Sequence, residues 1–129
     1  MDTRASIEAL LDKAYDGRRR NDAAAAAAAF CDDGCFRANG MPGGTKSRSE
    51  QIAALTQMFE AFAVLDFHEH SRVIDPPRAV VHWRGRFRLQ NGREGDTDIV
   101  DLIEIRDGKI ASLTTFYDTA YAMSLAAPA

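Results

Sequence analysis

The chain has no run of about 18 consecutive apolar residues, the length a membrane-spanning helix needs, so a helical span is excluded. Its opening, MDTRASIEALLDK, lacks the basic-then-apolar layout of a secretory signal, and a cytoplasmic protein is expected. Cysteine is scarce: Cys31 and Cys35 are the only two. Two thiols make neither a disulfide framework nor a complete structural zinc site, so both are expected to be free and buried. Positive charge is not in excess either. The net charge is −3, which argues against a nucleic-acid partner. The only basic run, Arg18-Arg19-Arg20, is expected to complement the C-terminal end of a helix dipole. No Ser-His-Asp order, nucleophile elbow or His-Glu-x-x-His motif occurs, and Lys46-Ser47 lacks the glycine spacing of a phosphate loop. No cofactor motif, internal repeat or proline-rich linker is present, and no cofactor or metal is expected.

What remains is an ordinary globular composition, 46% hydrophobic and 27% charged over 129 residues. That length suits one domain, 1–129, with 126–129 expected to fray. Ile7, Leu10, Leu11, Ala14 and Tyr15 fall at helical spacing, predicting a first amphipathic helix that Gly17 ends. Asn21 or Asp22 caps a second helix, Ala23 to Phe30, whose alanines permit close approach of a neighbour. Cys35 to Ala38 forms a short strand, and 39–47, rich in Gly and Pro, forms a lid or rim loop. A third helix starts at an Ser49 cap, with Ile52, Leu55, Phe59 and Phe62 as its apolar stripe.

Strands follow from Leu65 to Ile74, Ala79 to Leu89, Asp96 to Ile105 and Ile110 to Tyr117, with a short terminal helix over Ala120 to Leu125. Helices gathered before a run of short-turned strands imply an α+β fold: a curved, mostly antiparallel sheet with three N-terminal helices packed on its concave face.

Asp101 organises the reading. Strand alternation puts it on one face with Thr97, Ile99, Ile103 and Ile105, a carboxylate among isoleucines, which is costly unless paired or useful. Asn91-Gly92 is the preferred centre of a two-residue hairpin. Counting outward from such a turn sets His82 opposite Asp101, Arg84 opposite Ile99 and Val80 opposite Ile103. His82, Arg84 and Asp101 then share a face, and a His–carboxylate pair suits acid/base work. The alternative is a buried structural pair, or two residues that lie apart; the count depends on the two-residue turn, and a single bulge before Asp98 would break it. The same count places Val81, Trp83, Phe87, Val100 and Leu102 on the other face, too apolar for solvent. A second subunit is therefore expected to cover them, making a homodimer. His68 and His70 alternate on one face near Asp66, but two histidines without a third placed ligand are expected to be solvated or hydrogen-bonded.

The segments Phe30-Cys31-Asp32-Asp33, Glu50-Gln51-Ile52-Ala53-Ala54, Asp98-Ile99-Val100-Asp101, Asp107-Gly108-Lys109-Ile110 and Phe116-Tyr117-Asp118 resemble the nuclear-transport-factor-2-like superfamily. Within it they resemble the SnoaL-like and ketosteroid-isomerase-like branch. The resemblance implies a cone-shaped fold, a pocket between helices and sheet, and frequent dimerisation through the outer sheet face. It sets Asp101 at the position of the isomerase acid that donates to an oxyanion. The isomerase base would fall near Ala38 or Asn39, neither of which accepts a proton, and its tyrosine near Ala14, one residue from Tyr15. The ending LTTFYDT is similar to that of limonene epoxide hydrolases, whose catalytic aspartate corresponds to Thr115 and whose Arg-x-Asp pair meets His82-x-Arg84. Both departures argue against those two reactions.

The expected function is acid/base proton transfer on an apolar carbonyl or cyclic small molecule, of isomerase, cyclase or lyase type. His82 is the expected base or acid, Asp101 its orienting partner, and Arg84 or Tyr117 the oxyanion support. Tyr15, Phe36, Phe59, Ile99, Ile103, Leu113 and Thr115 are expected to line the pocket. The alternative is a dimeric module of the same fold that binds a small ligand without converting it.

Overall fold

The computed structural model describes residues 2–39 and 42–128, so Gly40 and Met41 of the expected rim loop and residue 129 of the expected tail lie outside the described residues. Helix α1, Arg4–Arg19, begins at a Thr3 capping box that Ser6 completes. Its helical spacing buries Ile7, Leu10, Leu11, Ala14, Tyr15 and Arg18 on one side. The helix runs through Gly17 instead of ending there. A Cβ at Gly17 would lie 2.5 Å from the backbone nitrogen of Ala26 and 2.8 Å from its Cα, so glycine is what lets α1 and α2 touch. Helix α2, Ala23–Ala27, is capped by Asp22 and is shorter than expected. Phe30 belongs instead to β1, Phe30–Ala38, which starts earlier than composition suggested. Helix α3, Arg48–Ala61, is capped by Ser47, not Ser49, through a bond from the Glu50 amide.

Strands β2 (Phe62–Asp75), β3 (Arg78–Leu89), β4 (Glu94–Arg106) and β5 (Lys109–Phe116) follow, and helix α4 spans Thr119–Ala126. The sheet order is β1-β5-β4-β3-β2, with β1 parallel to β5 and every other pair antiparallel. The fold is therefore α+β with a curved, mostly antiparallel sheet, as expected. Its inner face carries Ala79, Val81, Trp83, Ile99, Ile103 and Leu113, which form one buried core with the apolar stripe of α1 and with Leu55 and Phe59 of α3.

Two tight turns decide which side chains share that inner face. Asp107 and Gly108 both have positive φ, 51° and 76°, and join Arg106 directly to its partner Lys109. That is the expected two-residue turn. At the other hairpin only Gly92 has positive φ, 86°. A type I′ turn needs positive φ at both central residues, so Asn91-Gly92 does not form one. The loop is three residues long: Gly92 donates to Leu89 O at 2.9 Å and Leu89 donates to Arg93 O at 2.8 Å. The Asn91 side chain accepts from the Arg93 amide and donates to Leu125 O.

The extra residue shifts the ladder by one. Val81 pairs with Asp101, His82 with Val100, Trp83 with Ile99 and Arg84 with Asp98. The expected His82–Asp101 pairing is thereby overturned, and the two side chains point to opposite faces.

Gly17→Ala tests the packing of the first two helices. A free helix position would gain about 1 kcal/mol from this change, but forcing a methyl against fixed backbone costs roughly 1–3 kcal/mol. A net loss of stability is expected in urea unfolding, and a gain would mean that α1 and α2 can separate freely.

Candidate functional site

Asp101 lies at the centre of the inner face and is fully buried. One of its oxygens, Oδ2, accepts three hydrogen bonds: from the Tyr15 hydroxyl at 2.5 Å, Arg18 Nη1 at 2.8 Å and Trp83 Nε1 at 2.9 Å. Tyr15 and Arg18 come from one face of α1, three residues apart, while Trp83 stands beside Asp101 on the neighbouring strand. The guanidinium also lies 5.1 Å from the Trp83 ring centroid, and Phe67 stacks on Trp83 with centroids 4.7 Å apart. Burial, together with the Asp101 charge and hydrogen bond, holds the Tyr15 hydroxyl well above the usual tyrosine range despite Arg18, so it remains a proton donor.

The network is not closed. Asp101 Oδ1 and Arg18 Nε are buried without a hydrogen-bond partner among the described residues. Of the five N–H groups a guanidinium carries, the described residues engage only those on Nη1.

Arg18 opens onto a cavity of about 430 Å³ between the sheet, α3 and α4. Phe36, Trp83, Phe87, Ile99 and Met58 give it apolar walls, Thr115, Thr97 and Tyr117 add hydroxyls, and Pro42, Gly43 and Gly44 form its rim. The volume is in the range of small-molecule sites, which are mostly apolar with a few placed polar groups.

Several expected residues take their places here. Phe36, Ile99, Thr115 and Tyr117 line the cavity, while Tyr15, Phe59, Ile103 and Leu113 lie in the core without lining it. Asn39 spends its side chain on Tyr117, donating to its carbonyl and accepting from its amide, so it serves as a clasp between β1 and β5.

His82 and Arg84 are elsewhere. They sit on the outer face, where His82 Nε2 lies 3.2 Å from Asp98 Oδ1 and Arg84 donates to Asp98 Oδ2 at 3.1 Å. The shifted ladder is the cause, and the expected catalytic pair is corrected accordingly. Trp83 is likewise corrected: it is 1% exposed within a single chain and faces inward with Val81, while Phe87 lines the cavity. Only Val100 and Leu102 of that expected face are exposed outside, at 38% and 46%.

Arg18 is the residue that sequence reasoning missed. It continues the series Ile7, Leu11, Ala14 and Arg18 on the buried stripe of α1, and that periodicity was the available signal. The basic run drew attention instead to the helix end, where Arg20 indeed pairs with Asp16 and Asp22.

The family model described as a SnoaL-like domain matches residues 8–113. No curated protein matches the chain. Many solved structures share the fold. A candidate polyketide cyclase from Xanthomonas campestris aligns with a TM-score of 0.83 at 17% identity, covering 96% of this chain and 98% of that one. A protein of ketosteroid-isomerase-like fold from Catenulispora acidiphila, in complex with trimethylamine, aligns at 0.80 and 8% identity, covering 90% of each chain. TerC co-crystallised with polyporic acid aligns at 0.77 and 18% identity, covering 93% and 96%. Identities this low establish a shared fold and nothing finer.

Two outcomes follow from the buried network. Arg18→Met and Asp101→Leu should each cost about 3–5 kcal/mol, because each strands an opposite charge in the core. The double variant removes both charges and should recover most of that loss in urea unfolding; additive losses would show that the pair does not interact. The second outcome concerns alkaline pH. A folded-state pKa raised above the unfolded value of about 10 gives stability that is complete below that pH and lost as pH rises toward the folded value. The phenolate absorbance of Tyr15, isolated as the difference between wild type and Tyr15→Phe, should therefore appear only with loss of the fold.

Proposed function

The chain belongs to the SnoaL-like domain family of the nuclear-transport-factor-2-like superfamily, and from that premise we propose that its cavity binds an apolar small molecule carrying a carbonyl or enolate oxygen, which docks against Arg18. The observation that carries this reading is a buried guanidinium on a mostly apolar cavity, whose other charged lining residues are Arg37 and Asp118, with only one of its nitrogens engaged by the described residues. A charge-assisted hydrogen bond is worth about 1.5–3 kcal/mol, and more where water is excluded. Asp101, itself held by hydrogen bonds from Tyr15 and Trp83, fixes the guanidinium in place and partly offsets its charge, so the group can stabilise developing negative charge without reorganising. The reaction class this supports is enolisation, in which water admitted to the cavity takes the α-proton as the C–H electron pair moves onto the carbonyl oxygen. Arg18 would hold the oxyanion, and Asp101 and Tyr15 would position Arg18 without touching substrate.

A second reading, ligand binding without turnover, has its own support. The expected base His82 faces away from the cavity, and Asp118, the carboxylate on its wall, caps α4 by accepting from the Tyr121 amide. We also propose that the outer sheet face seats a second copy. Val73 pairs with Val80 and Val80 with Leu102, and in the next outward-facing row of β4 Val100 pairs with Phe116, giving two adjoining short apolar rows in which Val73, Val100, Leu102 and Phe116 are exposed. A two-fold axis would lay these rows on their own copy.

One comparison separates the readings. The pocket is loaded with 2-tetralone in D₂O, and exchange of the α-protons is followed by NMR alongside binding. Exchange faster than buffer, lost in Arg18→Met with Asp101→Leu, supports enolisation. Binding that weakens about 10–100-fold in the same double variant, without exchange, supports the binding module. If binding is equal in both proteins, Arg18 is not the anchor. The self-association proposal is checked by sedimentation: Leu102→Glu should leave a monomer where the wild type forms a dimer.

A further inference from the structure

We propose that His70, His82 and Asp98 form a binding site for one divalent transition-metal ion of the Zn²⁺ type on the outer face of the sheet. The site lies across the sheet from the cavity and rests on none of the cavity chemistry above.

Three adjacent strands supply the ligands. The β2–β3 ladder runs regularly through His68 opposite Arg84 and Glu69 opposite Trp83, then shifts by one so that Ser71 stands opposite His82. The extra residue of that bulge is His70, and bulges characteristically re-aim a side chain. Here the bulge brings the His70 ring beside His82, centroid to centroid at 4.8 Å and inclined by 31°. The three-residue β3–β4 turn then carries Asp98 to the same place. Asp98 Oδ1 is 3.2 Å from His82 Nε2 and 4.0 Å from His70 Nε2, and all three ligand atoms lie within 4.8 Å of one another.

Those separations fit a metal. Tetrahedral Zn²⁺ with ligand bonds of about 2.0–2.2 Å places its ligand atoms roughly 3.3 Å apart, so one pair is already at that spacing and the others close by small rotations of exposed side chains. Two imidazoles and a carboxylate are a donor set for Zn²⁺, Ni²⁺ or Cu²⁺, whereas Mg²⁺ and Ca²⁺ favour oxygen alone. The surroundings orient the ligands. Arg84 holds Asp98 Oδ2 at 3.1 Å, leaving Oδ1 turned toward the imidazoles, and the His68 ring packs edge-on against His70 at 4.7 Å. Three protein ligands leave a fourth position for water, as in open zinc sites. The rival account, a hydrogen-bonded His82–Asp98–Arg84 chain with His70 merely adjacent, uses only part of this geometry and predicts no ion.

The test uses the whole chain after chelator treatment. Zn²⁺ is titrated in competition with a chromogenic chelator, for wild type and for His70→Ala, His82→Ala, Asp98→Asn and His68→Ala. One ion per chain is expected. Loss of any of the first three should weaken binding by more than about 100-fold, whereas His68→Ala, which removes only a neighbour of His70, should cost less than any of them and no more than the roughly 10–100-fold of an outer-shell change. Co²⁺ in place of Zn²⁺ should give the intense visible bands of tetrahedral coordination, absent in the three ligand variants. Failure of the wild type to bind one ion per chain, or binding that survives loss of His70 or Asp98, overturns the proposal. The side chains are 38–56% exposed, so folding of the variants, checked by circular dichroism, should be unaffected.

Discussion

Everything on the inner face is arranged around the ion pair between Arg18 and Asp101, made at 2.8 Å and almost wholly out of water. Removing two charges from water costs several kcal/mol per ion, and their attraction alone does not reliably return it. The protein adds two neutral donors, the Tyr15 hydroxyl and the Trp83 indole, on the same carboxylate oxygen. Satisfying those donors dictates the neighbourhood. α1 must present Tyr15 and Arg18 together, β3 must turn Trp83 inward, and Phe67 must back the indole. Replacing a buried ion pair by apolar residues of similar volume is often neutral or stabilising. Two polar atoms of the network, Asp101 Oδ1 and Arg18 Nε, also stay without a hydrogen-bond partner among the described residues, a cost that reinforcement of the fold does not require.

The overall architecture could be read from periodicity because a sheet with one buried face imposes strict alternation. Ile99, Asp101, Ile103 and Ile105 declared their shared face within β4, and all four are buried. Alternation is silent, however, on which strand face meets which across a turn. That depended on the backbone angle of Asn91. The dipeptide Asn91-Gly92 is compatible with a two-residue turn and with a type I turn closed by glycine, and the sequence alone does not separate them. Here the Asn91 side chain bonds the Arg93 amide and Leu125 of α4, contacts that depend on a helix far along the chain. Tertiary structure chose the longer loop, and one residue moved Trp83 in and His82 out.

Arg18 was hidden for a different reason. Arginine is almost never fully buried unless paired, so a basic run at a helix end reads as solvent-facing. The helical spacing from Ile7 through Leu11 and Ala14 to Arg18 contradicted that reading, and it identified the partner that the buried Asp101 needed. Where periodicity and residue type disagree, the disagreement itself marks a polar group whose burial has been compensated.

The two faces of the sheet thus separate two chemistries that one strand pair carries side by side. On β3, Trp83 and His82 are adjacent residues, and on β4, Asp101 and Asp98 are three apart. Alternation sends Trp83 and Asp101 into a buried, nearly charge-balanced site where a few hydrogen bonds fix geometry and the Arg18 guanidinium meets a mostly apolar cavity. It sends His82 and Asp98 to the outer face, where in the single chain their side chains are 40% and 56% exposed. In the first setting a carboxylate works by holding a cation still; in the second it works by offering lone pairs to an ion from solution. The same residue types at nearly the same positions acquire opposite roles because the environment on each face, not the motif, sets what each can do.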